Sequence, residues 1–96
     1  MIKSFKGKVA EAIFRGENPG KGFPADIVRV AQRKLAMLHA ARVLADLKVP
    51  PRNLLEALKG DRAGQHSIRI NDQFRVCFVW RDGDAENVEI VDYHRG

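Results

Sequence analysis

The sequence contains a single cysteine, Cys77, and no apolar run that approaches the roughly 20 residues needed by a membrane-spanning helix. A lone cysteine excludes an internal disulfide, and no Cys/His cluster offers the ligands of a structural zinc site. The opening residues lack the apolar segment and small-residue cleavage site of a secretory signal. Gly-rich phosphate loops and nucleophile elbows are also missing. We therefore expect a cytoplasmic protein that uses no metal or other cofactor and contacts no membrane.

What is present fits one compact domain. The chain has 96 residues, of which 45% are hydrophobic, so we expect residues 1–96 to fold around one modest core. The formal net charge is +5, which favours a polyanionic partner because lysine and arginine release the counterions condensed on phosphates. Many small proteins are basic without binding nucleic acid, so the charge favours this class of partner without establishing it.

The first half of the chain has helical periodicity. Residues 1–5 alternate between apolar and polar and predict a short strand, and residues 8–14 predict a short helix. After a glycine-rich loop, a longer helix is predicted from Pro24 to about Leu47, because apolar residues recur at helical spacing along one face. A Pro-Pro pair ends this helix, since proline lacks the amide hydrogen and disfavours a helical residue before it.

The second half alternates with the period of β-strands. Strands are predicted over residues 53–59, 66–70 and 74–80, and a last strand reaches Tyr93. The Asp-Gly pair at residues 82–83 predicts a tight hairpin turn, because both residue types tolerate a positive φ. Two helices followed by a meander of strands predict an α+β domain with an antiparallel sheet. The helices would cover one face of this sheet and leave the other available for binding.

Arg75 is the most informative polar residue on pattern alone. It lies in the middle of a predicted central strand, on the face opposite Phe74, Val76 and Phe78. One interpretation is a surface arginine on an exposed sheet face, and the pattern slightly favours it. The other is a phosphate-binding residue, because a guanidinium is always charged and makes bidentate contacts.

Further charged and aromatic residues gather in the strand-rich half. Asp92, Tyr93 and His94 place a carboxylate, a phenol and an imidazole in succession, although a solvated chain end can have the same composition. In a strand, Asp92 and His94 would share one face and Tyr93 would take the other. The remaining candidates are Glu56, Lys59, Arg62, His66 and Arg69.

A set of segments, in a fixed order along the chain, carries a family resemblance. They are residues 1–6 (MIKSFK), 58–64 (LKGDRAG), 67–71 (SIRIN), 74–78 (FRVCF), 83–85 (GDA) and 92–94 (DYH). With these segments in this order, the sequence resembles the HigB toxins, a branch of the RelE superfamily of toxin–antitoxin systems. Each segment alone is weak, but the ordered set is specific in so short a chain.

The resemblance implies a RelE-like fold, in which two N-terminal helices pack on one face of a curved antiparallel sheet. It also implies a type II toxin that inhibits translation by cleaving mRNA in the A site of the 70S ribosome, with no metal required. The partner would be a HigA-like helix-turn-helix antitoxin, through which alone the toxin would reach operator DNA. Carried over by motif, the active-site set is Lys59, Arg75, Asp92, Tyr93 and His94.

The same resemblance implies a role for each member of this set. Lys59 and Arg75 would stabilise the negative charge that develops on the phosphate. His94 would transfer a proton, and Asp92 would orient it or act as the base itself. Tyr93 would stack on a base or position a phosphate. Outside the set, Arg62, His66 and Arg69 would bind the RNA.

Glu56 is the main departure from the family pattern. It stands where many relatives carry a histidine, two residues before the leucine of the Leu-Lys-Gly segment. Either the carboxylate takes over proton transfer, or the chain is a catalytically weakened binding module that acts mainly through its antitoxin complex. A nucleic-acid-binding domain unrelated to toxins is disfavoured, because no recognition helix or exposed aromatic motif stands out.

Overall fold

A computed structural model describes residues 1–93 of the chain. Its helices are α1 (Val9–Phe14) and α2 (Ala25–Ala40), and its strands are β1 (Glu56–Ala57), β2 (His66–Arg69), β3 (Phe74–Arg81) and β4 (Asp84–Asp92). Short 3-10 turns occupy Leu44–Lys48, Pro51–Asn53 and Gly60–Arg62. Within these residues no helix is both long and apolar enough to cross a membrane.

The strands form one antiparallel sheet in the order β1-β2-β3-β4, and both helices pack on the same face of it. Leu35 and Leu38 of α2 are fully buried against Val76 and Phe78 of β3, so this face holds the hydrophobic core. The predicted α+β architecture is therefore confirmed. We call the other side of the sheet the open face.

The predicted first strand is only partly formed. Residues 1–5 run beside β4, but the pairing is limited to two isolated parallel bridges, Ile2 with Ala85 and Phe5 with Val88. The backbone amide of Ile2 also donates to Nδ1 of His39 at 3.1 Å, which fixes the segment to α2. A regular strand over residues 1–5 was thus a wrong prediction.

The end of α2 also differs from the prediction. The helix stops at Ala40, and Ala41 is extended with ψ 135°, although the apolar pattern continues to Leu47. The carboxylate of Asp46 accepts hydrogen bonds from the amides of Arg42 at 2.9 Å and Val43 at 3.2 Å. Side-chain bonds of this kind compete with the helical ones, so the chain turns here and continues as a 3-10 turn. The same two bonds hold the pKa of Asp46 below its usual value.

The strand predicted over residues 53–59 is much shorter. Only Glu56 and Ala57 are in the sheet, because the chain before them makes a 3-10 turn that ends with Leu54 in the left-handed region, at φ 45° and ψ 53°. A left-handed residue interrupts the extended backbone that regular strand pairing needs. The edge strand therefore starts two residues after Leu54.

The hairpin between β3 and β4 forms as predicted. Asp82 and Gly83 both have positive φ, 52° and 83°, and join Arg81 directly to Asp84. Farther along β4 the register shifts by one residue, and Asn87 has φ 51°. This bulge resets the alternation, so that Ala85 and Val88 both face the core.

Candidate functional site

Arg75 is buried on the open face, with 8% of its surface exposed. Its Nη1 donates to Oε1 of Glu56 at 3.0 Å and to Oγ of Ser67 at 2.6 Å. The interpretation as a solvated surface arginine is therefore wrong. Pattern could not reveal this environment, because the carboxylate bonded to Arg75 is 19 residues away in sequence.

Sheet register brings these side chains together. Glu56 pairs with Ser67, Ser67 with Cys77, and Cys77 with Glu89, which makes one row across all four strands. Directly paired residues of antiparallel strands project to the same face. Arg75 is two residues before Cys77 on β3, so its long side chain reaches diagonally to Ser67 and Glu56.

Beside Arg75 the open face carries a cleft of about 320 Å³. Its walls are formed by Leu54, Arg69, Asn71, Asp72, Arg75 and Tyr93. The guanidinium carbon of Arg75 lies 5.6 Å from the centre of the Tyr93 ring, which is cation–π distance. Arg69, the cross-strand partner of Arg75, forms an ion pair with Asp72. Two arginines, an aromatic ring and an exposed leucine thus surround one open space.

The structure brings together four of the residues singled out from the sequence, namely Glu56, Arg69, Arg75 and Tyr93. Asp92 is placed differently, because it pairs with the core residue Phe74 and so belongs to the opposite face of β4. Its carboxylate accepts a hydrogen bond from Nε2 of Gln73 at 3.1 Å. The predicted separation of Asp92 from Tyr93 is consistent with this alternation.

Two other members of the set are not among these four residues. Lys59 is exposed and sits at the start of the 3-10 turn Gly60–Arg62, next to the edge strand. His94 lies outside the described residues. Their roles remain predictions.

Arg62 is held in a second polar cluster on the open face. Its Nη1 donates to Oε1 of Glu89 at 2.7 Å and to the side chain of Gln65 at 3.1 Å. The hydrogen bond that Arg62 donates to the Glu89 carboxylate holds the pKa of Arg62 above its usual value. Cys77 lies in the row between this cluster and the Glu56 carboxylate, and burial raises the pKa of its thiol. The thiol is therefore suited to packing and not to nucleophilic attack.

His66 faces away from the cleft. It pairs with Phe78 and stacks on that ring at 6.2 Å, on the helix-covered side of β2. Its Nδ1 is buried and, among residues 1–93, has no hydrogen-bond partner. Binding of RNA by His66 would thus occur on a different surface from binding by Arg69.

Sequence reasoning missed Ser67 and Leu54. Ser67 was visible only as a polar position sharing a face with Arg69, and its bond to Arg75 depends on the pairing of β2 with β3. Leu54 looked like an ordinary strand residue, because nothing in its local sequence signals a positive φ. Both become visible only once strand register and backbone conformation are known.

Comparisons with known proteins agree over nearly the whole chain. A family model described as a RelE-like toxin of type II toxin–antitoxin system HigB matches residues 3–94. Toxin HigB-1 of Vibrio cholerae serotype O1 is 38% identical over 95 residues, which cover 99% of each protein. Endoribonuclease HigB of Proteus vulgaris is 34% identical over 96 residues, which cover 98% of this chain and 100% of that protein.

A solved structure supports the fold. A chain of the YoeB-YefM complex from Staphylococcus aureus superposes with a TM-score of 0.55, over 98% of both chains. Sequence identity in this pair is 17%, so the likeness concerns the arrangement of helices and strands.

Proposed function

The chain belongs to the HigB family of RelE-like toxins of type II toxin–antitoxin systems, and from this premise we propose that it is a ribosome-dependent mRNA endonuclease that needs no metal. The observation that carries the proposal is the buried guanidinium of Arg75 at the wall of an open cleft. A charge held in place before the substrate arrives is what a phosphate-cleaving site requires.

The proposed reaction is an internal transfer at one phosphate of the RNA. The ribose 2′-oxygen forms a bond to phosphorus, and the bond from phosphorus to the 5′-oxygen breaks. The proton of the 2′-hydroxyl goes to a base, and the departing 5′-oxygen takes a proton from an acid. Negative charge builds on the phosphate meanwhile, and the protein must stabilise it.

Arg75 is suited to that stabilisation. Among the bonds within residues 1–93, only its Nη1 is engaged, by Glu56 and Ser67. The donors on Nη2 and Nε thus remain for a phosphate in the cleft, and the bonds at Nη1 fix their direction. Arg69 adds a second guanidinium in the same cleft, where it is paired with the exposed carboxylate of Asp72, and a phosphate would take the place of that carboxylate in the proposed binding of RNA.

Proton transfer has several candidates. Glu56 is a hydrogen-bond acceptor beside Arg75, which makes it a candidate for the base that takes the 2′ proton. By resemblance, Asp92 and His94 supply further acid–base groups, and Lys59 supplies charge. Tyr93, against Arg75, would stack on a base of the message.

The family description names a toxin–antitoxin system, which supports an antitoxin as a partner. We propose a HigA-like helix-turn-helix antitoxin, with operator DNA bound only through it. The basic net charge of +5 suits the ribosome and mRNA, and Arg62, Arg69 and His66 are the proposed RNA contacts. A cytoplasmic location follows from these partners.

One observation favours a second candidate function. The Glu56 carboxylate already occupies part of the guanidinium where a phosphate would bind. A phosphate must then compete with it or share the arginine, which would weaken cleavage. In that case the protein is a toxin-like binding module that acts mainly through its antitoxin complex.

The two functions are separated by inducing the chain alone in bacteria and mapping transcript 5′ ends. The endonuclease is expected to arrest growth and to leave cuts within translated codons. Arg75→Ala, produced at the same level, is the matched control and should leave no such cuts. Normal growth with abundant folded wild-type protein would reject the endonuclease and favour the binding module.

A further inference from the structure

Leu54 combines three unusual properties. Its backbone is left-handed, at φ 45° and ψ 53°, a conformation that a leucine rarely adopts. The residue is 54% exposed, although leucine is among the residues most often buried. It also lines the cleft that contains Arg69, Arg75 and Tyr93.

A buried network holds Leu54 in this conformation. The preceding residue, Asn53, is fully buried, and its Nδ2 donates to the carbonyl oxygens of Leu47 at 3.1 Å and Val49 at 3.4 Å. Its Oδ1 accepts a hydrogen bond from Nζ of Lys34 at 2.6 Å, which joins the turn to α2. The Asn53 side chain therefore ties the turn both to the preceding residues and to α2. This arrangement holds Leu54 at the cleft.

Packing does not explain this position. An exposed leucine adds little to the stability of the fold, because its apolar surface stays in water. Val49, five residues earlier, is 70% exposed and does not line the cleft, so exposure in this segment is common. What distinguishes Leu54 is that an unfavourable backbone conformation places it beside two arginines and an aromatic ring.

We propose that Leu54 is an RNA-contacting residue that supports the flat face of one nucleotide base while the arginines hold the neighbouring phosphates. This inference rests on the proposed function and assigns a base-binding residue to the same cleft. A base has an apolar face and polar edges, so a leucine facing a charged cleft offers the surface that phosphate contacts cannot supply. Replacing the side chain should weaken binding of the base and leave binding of phosphate unchanged.

The test measures the binding of two probes to the full chain by NMR titration. Adenosine 3′,5′-bisphosphate carries a base and two phosphates, whereas pyrophosphate carries phosphates alone. Leu54→Gly should weaken binding of the nucleotide by about tenfold, toward the lower end of the loss caused by removing an aromatic side chain that stacks on a base, and leave pyrophosphate binding unchanged. Arg75→Ala should weaken binding of both probes.

Two further variants separate side-chain chemistry from backbone effects. Leu54→Asn keeps a residue that tolerates the left-handed region but removes the apolar surface, and it should bind as poorly as Leu54→Gly. Val49→Ala is the matched control for an exposed apolar side chain and should bind both probes normally. Thermal melts should place Leu54→Gly at or above the wild type, because glycine suits a positive φ.

The results separate the role of Leu54 from the function proposed for the cleft. If Leu54→Gly binds the nucleotide as tightly as the wild type while Arg75→Ala does not, the role of Leu54 is rejected and the cleft is retained. If the wild type binds neither probe, the cleft fails as a phosphate site, and the inference falls with it. A melt far below the wild type for Leu54→Gly would reassign Leu54 to packing.

Discussion

The two faces of the sheet differ in what they bury. On the helix-covered face, Val76 and Phe78 are enclosed by apolar side chains, as in any small core. On the open face, Ser67 is fully buried and Arg75 is 8% exposed, and Nη1 of Arg75 donates to both Ser67 and Glu56. The Glu56 side chain of the ion pair is 44% exposed, and an ion pair open to solvent adds little to the stability of the fold. From this contrast we propose that the helix-covered face supplies stability and the open face supplies the chemistry.

The largest expected effect concerns the helix-covered face. Leu35 is fully buried between α2 and the sheet, so Leu35→Ala should lower the free energy of unfolding by about 2–5 kcal/mol. Where the variant remains folded, its cleavage rate per folded molecule should stay near that of the wild type. Denaturant unfolding and single-turnover cleavage measure the two quantities. A large loss of cleavage rate in folded Leu35→Ala would contradict the assignment of stability to one face and chemistry to the other.

A smaller effect is expected from Glu56, whose carboxylate bonds Nη1 of Arg75. If it accepts the 2′ proton, Glu56→Gln should slow cleavage about a hundredfold, the lower end of what general acid–base catalysis supplies. Ribosome binding should remain nearly intact, because the amide keeps the size and a hydrogen-bond acceptor. A rate equal to the wild type would mean that Glu56 is not the base, and a faster rate would mean that it competes with the phosphate for Arg75.

The smallest effect concerns Lys34, which anchors Asn53 beneath the cleft. Desolvation, followed by the charges of Arg33 and Arg69, lowers the pKa of Lys34 below its usual 10.5. At pH values between the lowered pKa of Lys34 in the folded protein and 10.5, this lysine binds more protons in the unfolded chain than in the folded one. The free energy of unfolding therefore rises with pH in that window. The melting temperature of the wild type relative to Lys34→Met should therefore increase from pH 8 toward pH 10.5. Lys21→Met, on an exposed loop, controls for loss of one charge, and a flat difference would contradict the assignment.

Much of the fold could be predicted because local patterns and tertiary packing agree in the second half. The alternation of β3 and the Asp82-Gly83 turn each give the correct local structure. The end of α2 could not be predicted, since apolar spacing continues and the break comes from Asp46 bonding two amides. The bulge at Asn87 was equally hidden, because it depends on the pairing with β3.

The candidate site was predictable in composition but not in geometry. Arg75 could be placed on the open face from alternation alone. Its burial could not be foreseen, because Glu56 and Ser67 reach it only through the register of three strands. Leu54 was invisible for a different reason, since its position depends on a turn fixed by the buried Asn53.

The most direct test of the division between the faces is Arg75→Ala, measured by single-turnover cleavage on programmed ribosomes together with a thermal melt. Loss of one preorganised charged contact to a transition state costs about 2.7–4 kcal/mol, so the rate should fall roughly a hundred- to a thousandfold while the protein stays folded. Arg75→Lys should recover only part of the rate, because an ammonium cannot reproduce a bidentate fork. Full activity in well-folded Arg75→Ala would contradict the account.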